Sequence, residues 1–69
     1  MTVREASAAN LRAERSRRRM TQKQLAEAIG VNVCTVSNWE TGANVMGIDK
    51  ALAICELFGI SLDDLAGKE

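Results

Sequence analysis

Sixty-nine residues carrying nine basic and nine acidic side chains, no His and no Pro, make at most one small domain of zero net charge. A chain this short cannot enclose a substrate pocket of roughly 300 Å3 or more, and no nucleophile stands beside a base, so an enzyme is excluded. Apolar runs are only a few residues long and the opening MTVREAS lacks the apolar stretch of a secretory signal, so the expectation is a cytoplasmic protein that crosses no membrane.

Caps and apolar periodicity predict five helices. The first starts at Val3 or Ser7 and runs to Arg18, with Thr2 and Glu5 as a candidate capping box. The second opens at Thr21, where T-x-x-Q (Thr21, Gln24) satisfies the first free N–H groups. It carries Leu25, Ala26 and Ile29 as an apolar stripe and ends at Gly30. The third follows the N-cap Asn32, turns Val36 and Trp39 inward and stops at Gly42. Residues 43–47 form a loop. The fourth shows an apolar stripe of Ile48, Leu52, Cys55 and Phe58 and closes at Gly59. Ser61 and Asp64 form another capping box for a short fifth helix anchored by Leu62 and Leu65, and Gly67 to Glu69 should fray. One domain is expected over residues 1–69, with an ordered core at about 8–66.

The charges are neutral in sum but segregated. Residues 1–24 hold seven basic side chains against Glu5 and Glu14, a net +5; residues 25–69 hold two lysines against seven carboxylates, a net −5. A basic end can face phosphates, although Arg17 to Arg19 also suit the C-terminus of the first helix. Cys34 and Cys55 stand 21 positions apart with no CxxC and no His, so two reduced thiols are expected and no metal or other cofactor.

The informative stretch is QKQLAEAIGVNVCTVSNWET, Gln22 to Thr41. Two helices joined across Gly30 by a three- or four-residue turn form a helix-turn-helix. Ala26 is small where the second helix of the pair crosses closest, and Gly30 sits where the chain turns sharply. Leu25, Ile29, Val31, Val36 and Trp39 converge between the two helices. With LRAERSRRRMTQKQLAEAIGVNVCTVSNWETG followed by IDKALAICELFGISLDDL, the chain from Leu11 to Leu65 resembles the lambda-repressor-like, Cro-type helix-turn-helix domains, also called the xenobiotic-response-element family. Arg15, Thr21-Gln22, Leu25-Ala26, Gly30, Glu40 and Gly42 stand where that family's pattern has them.

The resemblance implies an all-α, compact five-helix domain whose second and third helices form the helix-turn-helix. It implies a sequence-specific transcriptional regulator, a repressor, that lays the helix Val33 to Glu40 in the major groove of double-stranded DNA. By matching positions, Val33, Cys34, Ser37 and Asn38 face the bases, Asn38 pairing with adenine and Val33 touching a thymine methyl. Gln22 meets a phosphate at the start of the second helix; Arg12, Arg18, Arg19 and Lys23 are further phosphate candidates, and Thr41, Ala43 and Asn44 offer donors to the DNA backbone. Arg15 and Glu40 are implied to be a structural ion pair between the first and third helices.

Two departures from the pattern stand out. Met46-Gly47 replaces the Pro and Ser or Thr that often precede the fourth helix, so a looser, less well capped start is expected. The neutral net charge points to modest affinity or to a partner. Operator binding is expected of a homodimer, and with nothing following the domain its contact should use Ile54, Leu57, Ile60 or Leu62, each of which core packing would also explain. The competing reading is a protein-interaction module of the same fold, antitoxin-like or an anti-repressor, favoured by the neutral charge and the apolar Val33-Cys34 pair.

Overall fold

The second, third and fifth helices each begin at a residue whose side chain caps a free backbone N–H, and the second, third and fourth each end at a left-handed glycine. The computed structural model describes residues 3–67, which form five helices and, within that range, no strand. Helix α1 spans Val3–Arg17, taking the earlier of the two expected starts; Thr2 of its expected capping box lies outside the described residues. Its C-terminus closes by a device the sequence does not advertise. Arg19 adopts a left-handed φ of 54°, its N–H donates to Ser16 O at 3.0 Å, and the Met20 N–H donates to Arg15 O at 3.2 Å. This is the Schellman closure, with arginine where glycine is usual.

Helix α2, Gln22–Ile29, starts in the expected capping box. Thr21 Oγ1 accepts from the Gln24 N–H at 3.0 Å, and the Thr21 N–H donates to Gln24 Oε1 at 2.8 Å. Gly30 then takes φ 74°, the Val31 N–H reaches back to Ala26 O at 2.9 Å, and the chain turns within three residues into α3, Val33–Thr41. A Cβ on Gly30 would meet nothing within 4 Å, so its requirement is for the left-handed backbone alone. Asn32 Oδ1 caps α3 by accepting from the Cys34 N–H at 2.8 Å.

Helix α4, Ile48–Phe58, starts at Gly47 with no side-chain cap, the bare start expected from Met46-Gly47. The short α5, Leu62–Ala66, has its Ser61–Asp64 box, both hydrogen bonds at 3.1 Å.

The core gathers one face of every helix: Leu11 from α1, Leu25 and Ala26 from α2, Val36 and Trp39 from α3, Ala51, Ile54, Cys55 and Phe58 from α4, and Leu65 from α5. Helix α1 packs on α3 and α5, α2 packs on α3, and α4 packs on α5 and touches α2. The stripe read on α4 is corrected here. Its lower half, Cys55 and Phe58, is buried, but Ile48 is 64% and Leu52 48% exposed. The buried face is Ala51, Ile54, Cys55 and Phe58, which follows the i, i+3, i+4, i+7 rule more closely than steps drawn from Ile48. The dimer candidates divide in the same way. Ile54 is fully buried and cannot meet a second copy; Ile60 is half-buried against the core, and Leu57 and Leu62 are exposed.

Candidate nucleic-acid interface

Advancing about 100° per residue, α3 separates two faces. Val36, Trp39 and Glu40 are buried on one side, while Cys34, Asn38 and Thr41 are exposed and Ser37 half-buried on the other. Val33, in the first turn, is 40% exposed. Of the four residues expected to face bases, Val33, Cys34 and Asn38 are exposed and Ser37 is half-buried, so none of the four belongs to the core. On the arc of Cys34, Ser37, Asn38 and Thr41 the chemistry is an amide, two hydroxyls and a thiol. The exposed Thr41 hydroxyl donates to Asn38 O at 3.3 Å and retains its acceptor lone pairs.

The orientation of α3 is set by its one buried carboxylate. Glu40, 2% exposed, accepts from Arg15 Nε at 2.6 Å and from a second Arg15 nitrogen at 3.0 Å, a bidentate fork. Gln22 Nε2 adds a third hydrogen bond to Glu40 Oε1 at 3.1 Å, and Arg12 donates to the Glu40 carbonyl at 2.9 Å. Arg15 also reaches Met20 O at 2.7 Å, so the same guanidinium holds the α1–α2 turn. The hydrogen bond to Glu40 raises the Arg15 pKa above its ordinary value; burial works against this, and the charge of Glu40 adds to it. The ion pair implied between Arg15 and Glu40 is thus present, and it pins α1, the start of α2 and the end of α3 at one point.

The residues expected to meet phosphates separate into two groups. Lys23 and Arg19 are exposed, with no acceptor among the described residues, and Asn44 is exposed in the loop after α3, its N–H donating to Asn38 O at 3.2 Å. Arg12 and Gln22, by contrast, are held on Glu40, although the Gln22 amide has a second N–H with no acceptor among the described residues. Arg18 departs furthest from the expectation. Its guanidinium lies 4.3 Å from the centroid of the Phe58 ring, donates to Phe58 O at 2.7 Å, and pairs with Glu14 Oε1 at 2.7 Å. It joins α1 to the end of α4, and a cation already stacked and paired is a poor phosphate ligand.

Sequence reasoning missed three of these ties: Arg12 on the Glu40 carbonyl, Gln22 on its carboxylate, and Arg18 on Phe58. A signal existed for Gln22, since a buried carboxylate has about four acceptor sites and one arginine fork fills only part of them. Pairing Arg18 with Phe58 needs the turn after α1 to lie at the end of α4, 40 positions away in sequence, which no local pattern gives. No group of three or more metal-ligating side chains occurs among the described residues.

Comparison with known proteins gives concordant results. The helix-turn-helix family model matches residues 11–65. Two crystal structures of the clp gene regulator ClgR from Corynebacterium glutamicum are similar at 31% identity, with TM-scores of 0.86 and 0.84; each aligns with 94% of this chain, which covers 69% and 84% of theirs. A transcriptional regulator from Listeria innocua is similar at 27% identity and TM-score 0.86, over 91% of this chain and 59% of its own. Among curated proteins, no sequence matches significantly.

Proposed function

The chain belongs to the lambda-repressor/Cro-like helix-turn-helix family, and on that premise we propose that it is a sequence-specific DNA-binding transcriptional regulator of bacterial type, acting as a repressor in the cytoplasm. The observation that carries this reading is the polar arc of α3, with Cys34, Asn38 and Thr41 exposed and Ser37 half-buried, backed by the buried inner face of Val36, Trp39 and Glu40. A helix of about 10–12 Å diameter fits a major groove about 12 Å wide, and Asn38 supplies the amide that pairs bidentately with adenine. Lys23, Arg19, Asn44 and the second N–H of Gln22 meet the phosphates on either side. Two copies on half-sites about 34 Å apart complete the operator complex, with the exposed Leu57 available between them.

Selection of bound sequences from a random DNA pool, followed by gel shift at two salt concentrations, tests the proposal. Asn38→Ala should relax preference at one base position by roughly 5- to 150-fold, equivalent to about 1–3 kcal/mol. Lys23→Ala should weaken all sequences alike and reduce the salt slope by about one. Absence of any salt-sensitive binding would sink the reading.

A second reading draws on the zero net charge and on Val33, an apolar side chain 40% exposed at the head of α3. In it the same face of α3 receives a protein, as in an antitoxin-like or anti-repressor module. A stoichiometric complex that forms through Val33 and excludes DNA would favour it.

A further inference from the structure

On the side of the molecule formed by α1, α4 and α5 lies an apolar groove of about 230 Å3, floored by Met46, Ala51 and Leu65 and rimmed by Val45, Ile48 and Leu62. None of its lining belongs to α2 or α3. The rim is unusually bare: Val45 is 51%, Ile48 64% and Leu62 36% exposed, and Leu52, one turn beyond Ile48, is 48% exposed. Exposed apolar patches rimmed by polar residues mark interaction sites, and here Val45, Ile48 and Leu62 share the lining of one groove.

We propose that this groove docks a basic amphipathic helix of a partner protein. Charge selects the occupant. Viewed down α4, at about 100° per residue, Ile48 and Leu52 fall within about 40° of each other beside the buried face, and Glu56 and Asp49 follow at about 80° and 100°. Both carboxylate residues are exposed, as is Asp63, the neighbour of Leu62 on α5. The one lysine of α4, Lys50, lies about 200° from Ile48, on the far side of the helix. An apolar seam edged by acids fits a helix with leucine-type anchors at i, i+3, i+4 and i+7 and lysine or arginine beside them.

The same edge disfavours a second copy. A two-fold contact sets each patch against itself, gathering the carboxylates of Asp49, Glu56 and Asp63 from both copies at one seam. Docking the net +5 segment of another copy on the groove would be a head-to-tail contact, which propagates and does not close. Because the groove avoids α2 and α3, its occupant leaves the face of α3 free, and the inference stands or falls apart from the DNA reading.

The test uses the full chain and a synthetic helical peptide of about 18 residues, leucine at the anchor positions and lysine elsewhere, with a twin carrying glutamate for lysine. Amide chemical-shift mapping should place the lysine peptide on Val45, Ile48, Leu52 and Leu62. Its affinity should exceed that of the glutamate twin at least about tenfold at low salt and fall as salt rises. Ile48→Lys with Leu52→Lys should reduce binding about tenfold or more without moving the melting midpoint, since both side chains are largely exposed. Asp49→Lys with Glu56→Lys should transfer the preference to the glutamate twin. Equal binding of the two peptides, shifts mapped elsewhere, or a dimer seen by sedimentation that Ile48→Lys dissolves would each overturn the proposal.

Discussion

Glu40 tolerates burial because three hydrogen bonds reach its carboxylate and a fourth its carbonyl. Removing it strands the half-buried Arg15 guanidinium, an imbalance that costs on the order of 3 kcal/mol when a buried pair is broken. Glu40→Ala should therefore lower the melting midpoint by more than about 10 °C, since about 1 kcal/mol shifts a domain of this size by 4–8 °C. An unchanged midpoint would discard the anchor. The two cysteines make a contrasting pair. Cys34 is exposed, whereas burial, with a smaller contribution from the charge of Asp64, raises the Cys55 thiol above its ordinary pKa. A thiol reagent at neutral pH should titrate one cysteine quickly and the other only on unfolding. Because the folded thiol is the weaker acid, its contribution to stability is complete below the unfolded pKa and declines as pH rises beyond it. The melting midpoint should thus fall above about pH 9, with a shallower fall in Cys55→Ala.

Helix ends were the most legible feature of the chain, because Thr21-Gln24, Asn32 and Ser61-Asp64 each act on backbone groups two or three residues away. The inward turn of Val36 and Trp39 was legible for the same reason, being set by helical period. What could not be read depends on packing between distant segments: the exposure of Ile48 and Leu52, the burial of Ile54, and the ties of Arg12 and Arg18. The two weakest helix ends offer direct checks. Arg19 holds a left-handed φ of 54° that glycine adopts freely, so Arg19→Gly should raise stability by about 0.5–1 kcal/mol in thermal unfolding. If Arg19 meets a phosphate, the same variant weakens DNA binding while it stabilises the fold. Gly47 has ordinary extended backbone, φ −68° and ψ 159°, and caps nothing. Gly47→Ser should add a few tenths of a kcal/mol up to about 1 kcal/mol, combining a new cap with a stiffer unfolded chain. The added Cβ comes within 3.0 Å of Asp49 Oδ1, the movable end of a side chain, and a lower midpoint would show that it cannot move aside.

Across the whole molecule, the segregation of charge is weaker as an attraction than the sequence alone suggests. Of the five arginines between positions 12 and 19, four are bonded within the chain: Arg12 and Arg15 to Glu40, Arg17 to Glu14, and Arg18 to Glu14 and Phe58. Arg19 and Lys23 are the exposed cations near α2 with no acceptor among the described residues. Elution from a heparin column should consequently need only modest salt, and Lys23→Ala with Arg19→Ala should abolish most retention, whereas Arg17→Ala should change little. Early elution of Arg17→Ala would show that exposed surface pairs do not restrain these arginines.

Trp39 carries a further consequence. It is the one tryptophan in a chain without tyrosine, and it sits 6% exposed on the inner side of the helix whose outer side is bare. The ultraviolet emission of the protein is therefore the emission of a single indole mounted behind the outer face of α3, close enough to register a tilt of the helix yet screened from direct quenching by whatever occupies that face. A change in its colour on adding DNA would report movement of the helix, and constant colour with bound DNA would mean that the helix arrives already set.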